Sequence, residues 1–138
     1  MPALPVPCPP LSDGTVSLRL SAERDIPEIL IAHQDDPRLH EQLGEARPPT
    51  GAQLGSAAER APAELESGTS VALTITEPSS DVCRGQVRVR RIDWETRRAD
   101  LEVWVVPQFR GREYAHRAVR LACEWLAASC GLEASCQR

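Results

Sequence analysis

The chain contains no lysine: all sixteen of its basic residues are arginine. The plain source of such usage is the coding bias of a GC-rich genome. Selection for bidentate anion contacts is not needed for most of these arginines. A basic surplus is missing too. The net charge is −4, which weighs against nucleic-acid binding. Aromatic side chains are scarce, at three Trp, one Tyr and one Phe. With hydrophobic residues at 41%, a core is available, but it must rest on Leu, Val, Ile and Ala. The five cysteines, Cys8, Cys83, Cys123, Cys130 and Cys136, form no C-x-x-C pair, and their number is odd. That pattern reads as reduced, cytosolic thiols rather than a disulfide framework. Cys130 and Cys136 with a histidine fit no common zinc spacing, so no metal is expected. The opening MPALPVPCPP has neither a basic n-region nor a continuous apolar run, which argues against a signal peptide. No stretch nears the roughly 18 apolar residues of a membrane span. The expected location is the cytoplasm, with no membrane partner. No internal repeat is visible.

At 138 residues one domain is expected over residues 13–138, after a disordered, proline-rich lead-in over residues 1–12. Asp13-Gly14 signals a turn, and Val16, Leu18 and Leu20 alternate as in a strand. Ser21 stands as an N-cap before Ile26, Ile29, Leu30 and His33 at helical spacing. Leu39 and Leu43 allow a short helix. Thr50 caps a further helix, expected to end or kink at Pro62. Residues 71–76 (VALTIT), 83–92 and 98–106 read as three strands in a meander. In the middle strand Arg84, Gln86, Arg88 and Arg90 share one face, a solvated row or a surface for an acidic partner.

The chain is organised around residues 99–128. A β-branched strand, ADLEVWVVP, delivers a basic, glycine-containing turn to an amphipathic helix. Its stripe runs through Ala115, Ala118, Val119, Ala122, Trp125, Leu126 and Ser129, with Glu113–Arg117 and Arg120–Glu124 pairs opposite. Open N–H groups and the helix dipole make such a turn an anion site. Only LEASCQR follows Gly131, enough to begin a strand.

The run Arg98-Ala99-Asp100-Leu101-Glu102-Val103-Trp104-Val105-Val106-Pro107, followed by Arg110-Gly111-Arg112-Glu113-Tyr114-Ala115, resembles the GNAT N-acetyltransferase superfamily. The likeness is to the branch that acetylates ribosomal-protein N-termini and to its small bacterial relatives. It spans about residues 14–132. The resemblance implies an α/β fold, a mostly antiparallel sheet flanked by helices. The family's later C-terminal strands and helix are expected to be missing. It also implies acetyl-CoA as co-substrate, with transfer to a primary amine of a protein N-terminus or small molecule. Gln108, Arg110, Gly111 and Arg112 match the pyrophosphate motif, continued by Tyr114 and Ala115, while Glu113 replaces its second small residue. Backbone groups of Val105 and Val106 are expected along the cofactor, one N–H polarising the thioester. Asp100 stands where this branch often carries Glu. It is the first candidate base and Glu102 the second, with cross-strand ion pairs to arginine as the structural alternative. His33 would border the acceptor cleft or be a satisfied helix histidine. His116 reads as a surface or phosphate-proximal residue. An unpaired edge on the 98–106 strand would favour a homodimer. The alternative function is a non-catalytic coenzyme A-binding or interaction module.

Overall fold

The computed structural model describes residues 3–5, 7 and 10–137. Part of the lead-in, with Cys8, lies outside the described residues. The described remainder of the lead-in lies against the fold. Leu4 is buried and its N–H donates to Leu65 O at 2.9 Å. Leu11–Ser12 form a short strand, β1, antiparallel to Ser17–Leu20, β2. An apolar side chain between prolines is free to dock even where the chain cannot join a helix.

After β2 come α1 (Ile26–Asp35), α2 (Leu39–Gln42) and α3 (Gly51–Ser67). Then follow β3 (Val71–Thr76), β4 (Gly85–Asp93), β5 (Arg98–Val105), α4 (Tyr114–Trp125) and β6 (Glu133–Gln137). The six strands lie in the order β1-β2-β3-β4-β5-β6. Every pairing is antiparallel except β5 with β6, which is parallel. Pro27 is accepted at the start of α1, where its missing N–H has no intrahelical acceptor to lose.

Two expectations are corrected. α3 does not stop at Pro62 but runs to Ser67. Its ends are strongly fixed. Thr50 Oγ1 accepts from Gln53 N–H, Gln53 Oε1 accepts from Thr50 N–H, and Gly68 closes the helix at φ 72°. The proline removes one bond from an Ala-rich, largely solvent-facing helix, and the two caps hold the rest. The second correction concerns the edge of β5. The residues after Gly131 form β6, which pairs with β5 from Arg98↔Glu133 to Glu102↔Gln137. The edge expected to be unpaired is therefore covered there, and the homodimer argument loses its basis over those residues.

The register separates the two faces of the sheet. Leu73, Val87 and Val103 stand in one row, and Val89 and Leu101 pair beside it. α4 packs on this apolar side with Ala118, Ala122, Trp125 and Leu126 buried. Arg19, Thr74, Gln86 and Trp104 form a row on the opposite face. α1 packs there, with His33 beside Trp104 at 6.4 Å between ring centroids.

A buried polar hub ties this face together. Asp25 Oδ1 accepts from Arg19 at 2.7 Å. Its Oδ2 accepts from Thr74 Oγ1 at 2.8 Å and from Ala22 N–H at 2.9 Å. Ser21, the expected N-cap, instead contacts Thr74 at 2.8 Å and accepts from Gln86 at 2.9 Å. Gly85 is required where β4 meets the end of β5. A Cβ there would lie 2.2 Å from Trp104 O and 2.9 Å from Val105 Cα.

Candidate active site

The site forms where β5 ends. Antiparallel pairing alternates the direction of the backbone groups. Val106 N–H donates to Arg84 O at 2.9 Å, toward β4. Val105 therefore turns its N–H and C=O outward, beyond the last pair with β6 at Glu102. A cavity of about 570 Å³ opens at this edge. Val103, Trp104 and Val105 line it from β5, Leu43 from just past α2, and Arg110 and Ala115 from the far side.

The turn between β5 and α4 supplies the second wall. Pro107–Phe109 make one tight helical turn, and Gly111 follows at φ 81° with nothing within 4 Å of a built Cβ. The first backbone bond of α4 runs from Arg117 N–H to Glu113 O at 2.9 Å. The N–H groups of Tyr114, Ala115 and His116 therefore form the open end of the helix, where an anion is favoured. Glu113 sits at φ 61°, the left-handed region that glycine adopts without strain. This is the position where the resemblance leads one to expect a small residue.

The predicted cofactor residues divide by what they touch. Val105, Arg110 and Ala115 border the cavity. Val106 does not offer its N–H, which Arg84 O already holds; of the two expected cofactor-edge residues, Val105 keeps its N–H turned outward. Gln108 donates to Asp35 at 3.4 Å. Arg110 donates to Val105 O at 3.2 Å and to Asp36 at 2.6 Å. Arg112 lies over the Phe109 ring at 5.0 Å, with Arg84 also against that ring at 4.7 Å. Tyr114 stacks on Phe109 at 5.1 Å and donates to Glu77 at 3.3 Å, which fixes the turn from beneath. Arg117 pairs with Asp13 at 3.2 Å rather than with Glu113, and Arg120 lies 3.2 Å from His116 rather than pairing with Glu124.

Both candidate bases stand in cross-strand ion pairs. Glu102 lines the cavity. Its Oε1 is 2.8 Å from Arg88 and 2.9 Å from Arg90. Asp100 lies farther back on β5 and meets Arg91 at 3.3 Å. His33 is not the satisfied helix histidine that one alternative expected: it is buried, and its Nδ1 has no hydrogen-bond partner. Burial lowers its pKa, with the nearby His40 and Arg88 acting the same way, while Glu45 and Asp36 oppose them. Burial pushes the Cys83 thiol up to about 12 and the Cys130 thiol up to about 11, so neither is a ready nucleophile. Sequence reasoning missed the contributions of Val103, Trp104 and the α2 segment. The Leu39/Leu43 spacing marked a helix but carried no sign of which cavity it would wall.

Among the described residues no helix is long and apolar enough to cross a membrane, and no group of three or more His, Cys, Asp or Glu could hold a metal ion. No curated protein matches the sequence. Solved structures do match the fold. A probable acetyltransferase aligns with TM-score 0.75 and 16% identity, covering 87% of this chain and 67% of its own. An acetyl transferase from Salmonella typhimurium, which modifies the N-terminal serine of the 50S ribosomal subunit protein L7/L12, aligns at 0.72 and 15% identity, over 86% and 66%. Spermidine N-acetyltransferase from Vibrio cholerae, in complex with CoA and spermine, aligns at 0.74 and 13%, over 87% and 68%. The chain thus spans about two thirds of the length of these three. Residues 15–137 match the family described as the acetyltransferase (GNAT) domain, and the chain belongs to that family.

Proposed function

We propose that the chain transfers an acetyl group from acetyl-coenzyme A to a primary amine, on a protein N-terminus or a small molecule. The observation that carries this reading is the outward-facing backbone of Val105 beside the open end of α4, both on one cavity. The residues present fit such a co-substrate. The N–H groups of Tyr114, Ala115 and His116, together with Arg110, suit its pyrophosphate. The Val105 edge suits its extended amide-bearing arm. When bound, it supplies the activated acyl group.

The chain's own residues would do the following. Val105 N–H donates to the carbonyl oxygen where negative charge develops. Glu102, which lines the cavity from β5 opposite Glu41 of α2, accepts the proton of the incoming ammonium, directly or through water. Asp100 stands behind it. Transfer is direct from thioester to amine: none of the described cysteines lines the cavity, and burial pushes the thiols of Cys83 and Cys130 up. Family neighbours whose names give a ribosomal-protein serine and spermidine as acceptors support the amine class, not a particular amine.

The test has two steps. Calorimetry with coenzyme A should show binding; none at millimolar ligand sinks the reading. A thiol-release assay over an amine panel should then show turnover. Glu102→Gln should lower kcat by about 10²-fold or more while leaving coenzyme A affinity in place. A second reading, a coenzyme A-binding module without turnover, is favoured by the arginines already held on Glu102 and Asp100. Binding without turnover would select it.

A further inference from the structure

A second and larger cavity, of about 650 Å³, lies between α3 and the helix-covered face of the sheet. Ala57, Ala61, Pro62 and Leu65 of α3 give it an apolar wall. Arg88, Arg90 and Arg91 of β4 give it a cationic one. Its size is that of a ligand pocket rather than a packing defect. Its lining holds four arginines, counting Arg60, and one carboxylate, Glu64, which pairs with Arg60; the carboxylates paired with the other three, Glu45, Asp100 and Glu102, stand outside the lining. The chain as a whole is acidic, so this balance is local.

Three observations give the arginine wall a purpose. First, β4 breaks register between Arg90 and Asp93, and Arg91 takes φ 51° there. An unbroken strand would turn Arg91 to the opposite face from Arg90. The bulge brings both guanidinium groups to one side, at the expense of a strained backbone. Second, Arg88 Nε and Nη2 are buried without a hydrogen-bond partner, although Nη2 lies 2.8 Å from Glu102 in a charge contact. Each guanidinium carries five N–H donors, more than the facing Asp100 and Glu102, with Glu45 at 3.8 Å from Arg88, can accept from three arginines. Third, Glu102 joins the two cavities. It lines the smaller one and holds Arg88 and Arg90, which line the larger.

We infer that the larger cavity receives the body of the acceptor, and that the acceptor is an acidic peptide whose amine lies at Glu102. The inference rests on the acetyltransferase reading for the role of Glu102, but the groove itself is testable without it. Carboxylates following the terminal residue would take the donors of Arg88, Arg90 and Arg91, while aliphatic carbons lie on the alanine wall of α3. A polyamine or a lysine-rich peptide would place cations against three guanidinium groups and be rejected.

Calorimetry on the full chain without cofactor tests this with three probes: a serine-led hexapeptide with three aspartates after the first residue, its lysine counterpart, and spermidine. The aspartate peptide should bind at least about tenfold tighter than either cation, with affinity falling as salt is added. The double substitution Arg90→Gln/Arg91→Gln should remove that preference. Arg91→Gln alone, at a side chain 72% exposed, should weaken it without threatening the fold. Arg98→Gln, an exposed arginine outside the cavity, should leave it in place. Equal or tighter binding of the lysine peptide or spermidine overturns the inference, and so does a preference that survives the double substitution. Coenzyme A titration of the same chain separates the two claims. Acidic-peptide binding without coenzyme A binding supports the groove and sinks only the acetyltransferase reading. Coenzyme A binding and turnover with no acidic preference sinks the groove alone.

Discussion

Glu113 concentrates the conflict between sequence and site in one residue. Its φ of 61° belongs to glycine, and its carboxylate stands at the N-terminal end of α4 where the proposed pyrophosphate would sit. A left-handed backbone costs an ordinary residue about 1 kcal/mol or somewhat more. Arg117, its expected partner, is engaged by Asp13. Glu113→Gly should therefore stabilise the chain by about 1 kcal/mol, a rise of about 4 °C in Tm. It should also tighten coenzyme A binding by removing a negative charge from the turn. Glu113→Gln separates the two effects. It should tighten binding without raising Tm, because the side chain stays and the charge goes. Thermal unfolding and calorimetry on both variants decide it; an unchanged Tm for Glu113→Gly would show the turn to be unstrained.

Between elements, the contact that matters most for the site joins the C-terminal end of α1 to the β5–α4 turn. Asp36 holds Arg110 at 2.6 Å, and Asp35 accepts from Gln108 at 3.4 Å. The Arg110 hydrogen bond is the main reason Asp36 sits below the usual aspartate pKa, against a smaller upward push from burial. On the proposed function the same guanidinium serves the pyrophosphate, so Asp36 and the ligand compete for it. Arg110 is 39% exposed, which reduces the pair to about 1 kcal/mol. Asp36→Asn should tighten coenzyme A binding about fivefold and leave the fold intact. Weaker binding would mean that Asp36 positions Arg110 rather than restrains it.

This contact also shows where sequence reading stops. β3, β4, β5 and α4 were legible because alternation, short turns and one apolar stripe are local signals. The left-handed demand at residue 113 was half legible, through a glycine expected and not found. α3 beyond Pro62 was not, because its caps lie at opposite ends of the helix and a proline in mid-sequence looks decisive by itself. β6 was barely legible. LEASCQ has a weak pattern, and its hydrogen bonds come from β5, more than thirty residues earlier. The walls of both cavities depend on which helix covers which face, and no spacing within one segment encodes that.

For the whole molecule, the hub at Asp25 sets the response to acid. Burial pushes this carboxyl up, but Arg19, Ala22 N–H and Thr74 together bring it below the ordinary value of 3.8. The carboxylate links β2, β3 and the start of α1, and Ser21 extends the network to Gln86 on β4. A carboxyl with a depressed folded pKa binds fewer protons in the folded chain than in the unfolded one. Its stabilisation is complete above the unfolded pKa and disappears as pH falls through the folded one. Asp13, Asp36 and Asp81 are lowered as well and act in the same direction. His33, lowered chiefly by burial, adds a milder loss that begins as pH drops through the ordinary histidine value of 6.5. Urea unfolding should therefore show stability level above about pH 7, slightly lower by pH 5, and falling steeply below about pH 4. Asp25→Asn should cost about 3–5 kcal/mol at neutral pH, because Arg19 loses its buried partner, and should flatten the acid limb. Should that variant not fold, the unsubstituted chain still decides the matter. Stability unchanged between pH 5 and pH 3 would remove Asp25 from the centre of the fold and leave the α1–sheet contact to apolar packing alone.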